Sequence, residues 1–116
     1  MVKEYKFEIP DCHPSINQWH GRHWSHKEYL KGIWYKMVMA CAKKAKVPKI
    51  NQPVEIHIDY FNPRHIDLDN LTPKFILDGL KGIVILDDNP NIVKKISWTF
   101  TKDKNKRSIV LIRLVD

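Results

Sequence analysis

Asp67-Leu68-Asp69-Asn70 sets two carboxylates one residue apart, and Asp78, Asp87 and Asp88 follow in the same stretch. Aspartate is a poor helix and strand former, so packing alone rarely asks for it at this density. If residues 67–69 stay extended, Asp67 and Asp69 point the same way and Leu68 points into the protein. Two carboxylates on one side make a platform for a hard divalent cation, which prefers oxygen ligands. Asp87 and Asp88 precede a later strand, and a fold can bring them back beside the first pair. Lys74 supplies a cation close by. This inventory suits phosphodiester hydrolysis, where a metal activates water and neutralises transition-state charge. The lysine steadies the scissile phosphate or the leaving oxygen.

Simpler uses exist for the same residues. Asp69 or Asn70 can cap a following helix. Asp87-Asp88-Asn89-Pro90 can be a turn. Lys74 and Asp78, four apart, can pair on a helix face. Spacing alone leaves both accounts open, because Asp-x-Asp is short and common.

The elements that must position these side chains read as β-α-β-α-β-β. "EYKFEI" alternates, with Tyr5, Phe7 and Ile9 on one side, which predicts a strand. The loop "PDCHPSINQWHGRHW" follows. Ser25 with Glu28 reads as a capping box, flanked by Trp24 and Tyr29 as a staple. Leu30, Ile33, Trp34, Met37, Val38 and Cys41 then repeat at helical spacing to about residue 45, with Cys41 a buried thiol. "PVEIHIDYF" turns Val54, Ile56, Ile58 and Tyr60 inward and Glu55, His57 and Asp59 outward. A second helix is expected over about 70–81, with Pro73 in or near its first turn and Gly82 at its stop. "NIVKKISWTFT" and "RSIVLIRLV" read as two strands of a hairpin joined by "KDKNK". The sum is an α+β fold, one domain over 1–116, with two helices packed on a mixed sheet.

The chain has 116 residues, a formal net charge of +7 and a sequence pI of about 9.5. Five of its thirteen acids fall within 67–88, so the rest of the surface is more basic than the total implies. Such a field favours polyanions, nucleic acid first among them. Cys12 and Cys41 form neither a disulfide framework nor a CxxC motif. No apolar run approaches membrane-spanning length and "MVKEYKFEIP" lacks a signal-peptide core, so a soluble cytoplasmic protein with no membrane partner is expected.

Cys12, His13, His20, His23 and His26 crowd the first loop and invite a zinc reading, though their spacing fits no standard finger. The alternative is a DNA-facing arm in which Trp19, His20, Arg22, His23 and Trp24 offer aromatic faces and polar tips to phosphates and unstacked bases. A third account has Trp19 and Trp24 filling the core edge. Lys102, Lys104, Lys106 and Arg107 surround the expected hairpin tip as a solvated face.

"DLDNLTPKFILDGLKGIVILDDNPNIV" resembles the core signature of the RusA family of Holliday-junction resolvases: Asp-x-Asp-Asn-Leu, a nearby lysine, a helix with Asp-x-Leu, then a hydrophobic lead into Asp-Asp. "FEIPDCHPSINQWH" is similar to the family's opening strand, proline-rich turn and Ser-x-Asn segment. The likeness spans about 5–115. It implies that Asp67, Asp69 and Asp88 bind magnesium, for which manganese substitutes, with Asp87 beside them and Lys74 as the catalytic lysine. Lys74 stands five residues after Asp69, one more than in the best-known members, and Ile66 replaces the basic residue usual before the first aspartate. Arg64 and His65, just upstream, then supply the phosphate contact. Asn17, Arg22 and His23 complete the expected DNA contacts. The resemblance also implies a homodimer, and a two-fold symmetric four-way junction needs two matched nicks. The expectation is a magnesium-dependent endodeoxyribonuclease acting on branched DNA in recombination and repair. The competing expectation is a non-catalytic nucleic-acid-binding module with a structural acidic turn.

Overall fold

The alternating segments form the strands they predict. β1 (Glu4–Ile9) buries Phe7 and Ile9. β2 (Val54–Asn62) buries Val54, Ile56, Ile58 and Tyr60, and leaves Glu55, His57 and Asp59 half-buried on the opposite face. Each aliphatic side chain taken out of water this way contributes roughly 1.5–3 kcal/mol. β3 (Val93–Lys102) and β4 (Arg107–Leu114) complete a single sheet in the order β1-β4-β2-β3. β4 runs antiparallel to β1 and β2, and β3 lies parallel to β2 at the edge. The α+β class and the mixed sheet agree with the sequence reading. The computed structural model describes residues 3–13 and 15–115. Pro14 of the expected proline-rich turn, and residues 1, 2 and 116 of the expected 1–116 domain, lie outside the described residues.

β3 and β4 do not form the expected hairpin, because β2 lies between them. Residues 103–106 cross the end of β2, where the Asp103 N–H donates to Asn62 O at 3.0 Å. Stepping over one strand spans about 9.6 Å, well within the reach of four extended residues, so loop length does not separate a turn from a crossing. Arg107 consequently is not on a solvated tip. Its guanidinium stacks 3.9 Å over the Phe61 ring and pairs with Asp103 at 3.3 Å.

The first loop contains a helix that the sequence reading missed, α1 (Ile16–His20). Ser15 Oγ accepts from the Gln18 N–H at 3.2 Å and Gln18 Oε1 accepts from the Ser15 N–H at 3.1 Å, a true capping box. The box expected at Ser25 and Glu28 does not form. α2 (Trp24–Lys44) starts two residues earlier and is capped by His23, whose Nδ1 accepts from the Ser25 N–H at 3.2 Å. Glu28 pairs with Lys31 instead. The staple fails with it, since Trp24 is 72% exposed and Tyr29 is also exposed. Along α2 the buried stripe is Trp34, Val38 and Ala42, with Met37 and Cys41 only half-buried and Ile33 exposed.

The second predicted helix splits in two. A single 3₁₀ turn spans Leu68–Asn70, and α3 (Lys74–Leu80) begins only after Pro73, its N-cap. Gly82 follows with φ of 77°, the left-handed stop expected of it. α3 packs on α2 through Gly79, where an added Cβ would stand 2.6 Å from Val38 Cβ.

On the sheet face away from these helices, β2 and β3 are pinned by a polar network. His57 joins Ser97 Oγ through Nδ1 at 2.6 Å and Asp59 Oδ1 through Nε2 at 2.9 Å, and Thr99 Oγ1 donates to Asp59. Burial alone would raise the Asp59 pKa, but the Thr99 and His57 bonds outweigh it and hold the carboxyl below its ordinary 3.8. A depressed carboxylate stabilises the fold above its unfolded pKa and loses that contribution as pH falls through the folded value. Asp59→Asn protein is therefore expected to be less stable than wild type in urea at pH 7, with the gap closing as pH falls below about 3.8. A gap that is constant with pH would contradict the network.

Candidate active site

Tyr60 sets where the acidic segment turns into α3. Burial pushes its phenol pKa far above the ordinary value, and the hydroxyl donates to Thr72 O at 2.8 Å, just before Pro73. Between them the chain coils rather than staying extended, so Leu68 is turned outward at 55% exposure and does not point into the protein as expected. Two bonds hold this turn. Trp98 of β3 donates its indole N–H to Leu68 O at 2.9 Å, and the Asn17 N–H of α1 donates to Asn70 Oδ1 at 2.9 Å. The asparagine of "DLDN" thus ties α1 to the acidic turn across 53 residues of sequence.

The helix-cap account of these residues does not hold. Asp67 takes the N-cap position of the 3₁₀ turn yet makes no side-chain cap bond. Its carboxylate is exposed and bonds His65 Nε2 at 2.8 Å. Asp69 has no hydrogen-bond or ion-pair partner among the described residues. α3 is capped by Pro73, not by Asp69 or Asn70. Lys74 heads α3, is exposed, and forms no pair with Asp78; only its backbone N–H is engaged, by Thr72 Oγ1 at 3.2 Å. Placing Pro73 at the cap makes Lys74 the first helical residue, which shifts its azimuth from that of a residue one turn inside a helix begun at 70.

Asp87 and Asp88 do form a turn. The Asp88 N–H donates to Asp87 Oδ1 at 2.7 Å, and this bond is the largest influence holding the Asp87 carboxyl below its ordinary value. The turn is also a cation site of a kind. Lys81 Nζ lies 3.4 Å from Asp87 Oδ1 and 3.6 Å from Asp88 Oδ1, and the charges of Asp88 and Asp87 raise its pKa. All four aspartates offer only oxygen donors, Asp67, Asp69 and Asp88 are exposed, and one pair already draws an ammonium. That chemistry fits a hard divalent cation. The structure does not bring the two pairs together: among the described residues no three His, Cys, Asp or Glu side chains converge as a ligand set. The same holds for the zinc reading of the first loop. There His13 is buried, stacked edge-on to Trp34 and Tyr60, and His23 serves as a helix cap.

The expected DNA contacts divide. Asn17 and Arg64 are exposed, with Arg64 anchored by its N–H to Asn62 Oδ1 at 2.9 Å. Arg22 is half-buried and donates from Nη1 to His26 Nε2 at 2.6 Å. His65 orients Asp67, and His23 is spent on the α2 cap through Nδ1. Trp19 packs on the core against Phe75, while Trp24 stays in solvent. Sequence reading missed Lys81, Trp98 and the tie made by Asn70. Only the capping box of "SINQ" was available as a local pattern; Trp98 and Asn70 act across the fold, and Lys81 reaches its acids around the turn at Gly82.

No described helix is long and apolar enough to cross a membrane. A search of curated proteins gives no match to the chain. A family model described as endodeoxyribonuclease RusA matches residues 8–113, nearly the whole chain and every element that holds the acidic turn. The protein belongs to the RusA family of endodeoxyribonucleases.

Proposed function

We propose that the protein is a magnesium-dependent endodeoxyribonuclease that binds four-way junctions as a homodimer in the cytoplasm and resolves them by paired nicks, in recombination and repair. The observation that carries this reading is that the clustered acids have no sufficient structural use. The Asp67 side chain makes no cap bond, Asp69 has no hydrogen-bond or ion-pair partner among the described residues, and the exposed Asp88 carboxylate faces Lys81 across 3.6 Å. Asp67 and Asp69 on one side and Asp88 on the other, which do not converge in this structure, would have to close on the cation to hold it, with Asp87 beside them and manganese able to substitute. When bound, the cation supplies an activated water and offsets charge on the phosphoryl oxygens.

The chain's own residues do the rest. His65 fixes the orientation of the Asp67 carboxylate, the kind of support that outer-shell partners give to metal ligands. Lys74, with no carboxylate partner among the described residues, steadies the scissile phosphate or the leaving oxygen as the P–O bond breaks. Arg64 contacts a phosphate beside it. The net charge of +7 draws the junction in, and this term weakens with salt.

The test is a metal titration of junction nicking. Cleavage is expected to rise with magnesium, to continue in manganese and to stop in EDTA, with binding retained in calcium. Cleavage that is indifferent to EDTA would contradict the reading. Asn70→Ala, which cuts the tie to α1, is expected to slow nicking about tenfold, the equivalent of one lost hydrogen bond of roughly 1–1.5 kcal/mol. An unchanged rate would show that the α1 tie does not hold the site.

A further inference from the structure

We infer that the cavity between α1, the start of α2 and the segment joining β2 to the 3₁₀ turn is a pocket for one unpaired nucleotide of the DNA, next to the scissile phosphate. The cavity measures about 570 Å³, more than a phosphate needs and within the range of small-molecule sites. Three cations line it, Arg22, Arg64 and Lys106, and its wall includes Asp67, a proposed metal ligand. An occupant therefore adjoins the reacting phosphate, and the inference rests on the nuclease reading to that extent.

The lining has unused donors. Arg22 Nε is shielded from water and has no acceptor among the described residues, although Nη1 is satisfied by His26. A charged group left partly unpaired out of water is costly, and a nucleotide supplies the acceptors it lacks. Gln18 also lines the cavity. Its amide oxygen is taken by the Ser15 N–H, which leaves its two N–H donors for a base carbonyl or ring nitrogen. Enzymes that act on nucleic acid commonly hold an extruded base in such a pocket, and a junction centre offers bases with weakened stacking.

The experiment places 2-aminopurine, one position at a time, around the crossover of a synthetic four-way junction, bound in calcium so that no strand is cut. One position is expected to brighten at least about threefold on binding, as an unstacked base does. Arg22→Met and Lys106→Met should each abolish the rise at that position when the junction is saturated with protein, with thermal unfolding unchanged. Lys106 is exposed, so its variant decides the matter if Arg22→Met does not fold. No brightening at any position, or brightening that survives in the folded Lys106→Met protein, would overturn the pocket while metal-dependent nicking stood. A junction that is neither bound nor nicked would overturn the nuclease reading as well.

Discussion

Asp69→Asn protein is expected to bind a four-way junction at least as tightly as wild type and to nick it about a thousandfold more slowly. The loss follows from the size of the effect: a divalent metal contributes several kcal/mol of transition-state stabilisation, and each 1.4 kcal/mol is about tenfold in rate. Asparagine keeps the shape of the side chain but removes one charge from the donor set. The fold is spared because the exposed Asp69 side chain makes no hydrogen bond or ion pair with any described residue. Removing an anion from a surface that meets phosphates also reduces repulsion, which is why affinity holds or rises. The same substitution at Asp78 should do little, since that side chain lies exposed on α3 and pairs with nothing among the described residues. Equal losses at Asp69 and Asp78 would mean that general charge, not a ligand set, is being read.

Gly79→Ala carries the largest expected effect on stability. In an open helix the change would help, because alanine gains up to about 1 kcal/mol over glycine in helix propensity. Here the new Cβ meets Val38 Cβ at 2.6 Å and Cγ1 at 2.8 Å. Val38 is fully buried on α2 and its branched side chain has few rotamers, so it cannot swing aside. Overpacking of this kind costs roughly 1–3 kcal/mol. Overpacking wins, and the net loss of about 1–2 kcal/mol should lower the thermal midpoint by roughly 4–8 °C. Val38→Ala combined with Gly79→Ala should lose less than the sum of the two single changes, the sign of a shared contact. A midpoint raised by Gly79→Ala would show that α2 and α3 separate easily. That matters for function because α3 carries Lys74 and leads to Lys81 and the Asp87–Asp88 turn.

What could be read from the sequence is what local patterns encode. Alternation placed the inward residues of β1 and β2 without error, because a period of two leaves one choice of face. The acidic cluster, the lysine and the family likeness were visible as a contiguous signature. Tertiary relations were not. β4 lies between β1 and β2 because of pairings made across the whole chain, and "KDKNK" carries no mark that distinguishes a crossing from a hairpin. The capping box of "SINQ" is as local a pattern as that of "SHKE", but only the latter is followed by a long apolar repeat, and α1 went unread within the loop. Leu68 was placed inward on the premise of an extended chain, and the bonds from Trp98 and Asn17 to the 3₁₀ turn decide otherwise. Lys81 escaped notice since its partners lie beyond Gly82, whose positive φ turns the chain back.

The central claim is tested most directly by mapping cuts on a four-way junction labelled in turn on each strand, with wild-type and Asp69→Asn protein, in magnesium and in EDTA. The account predicts two nicks at symmetric positions on opposing strands, made only by wild-type protein and only with magnesium. Tight junction binding with no nick in magnesium or manganese would contradict it, and the acidic turn would then be structural.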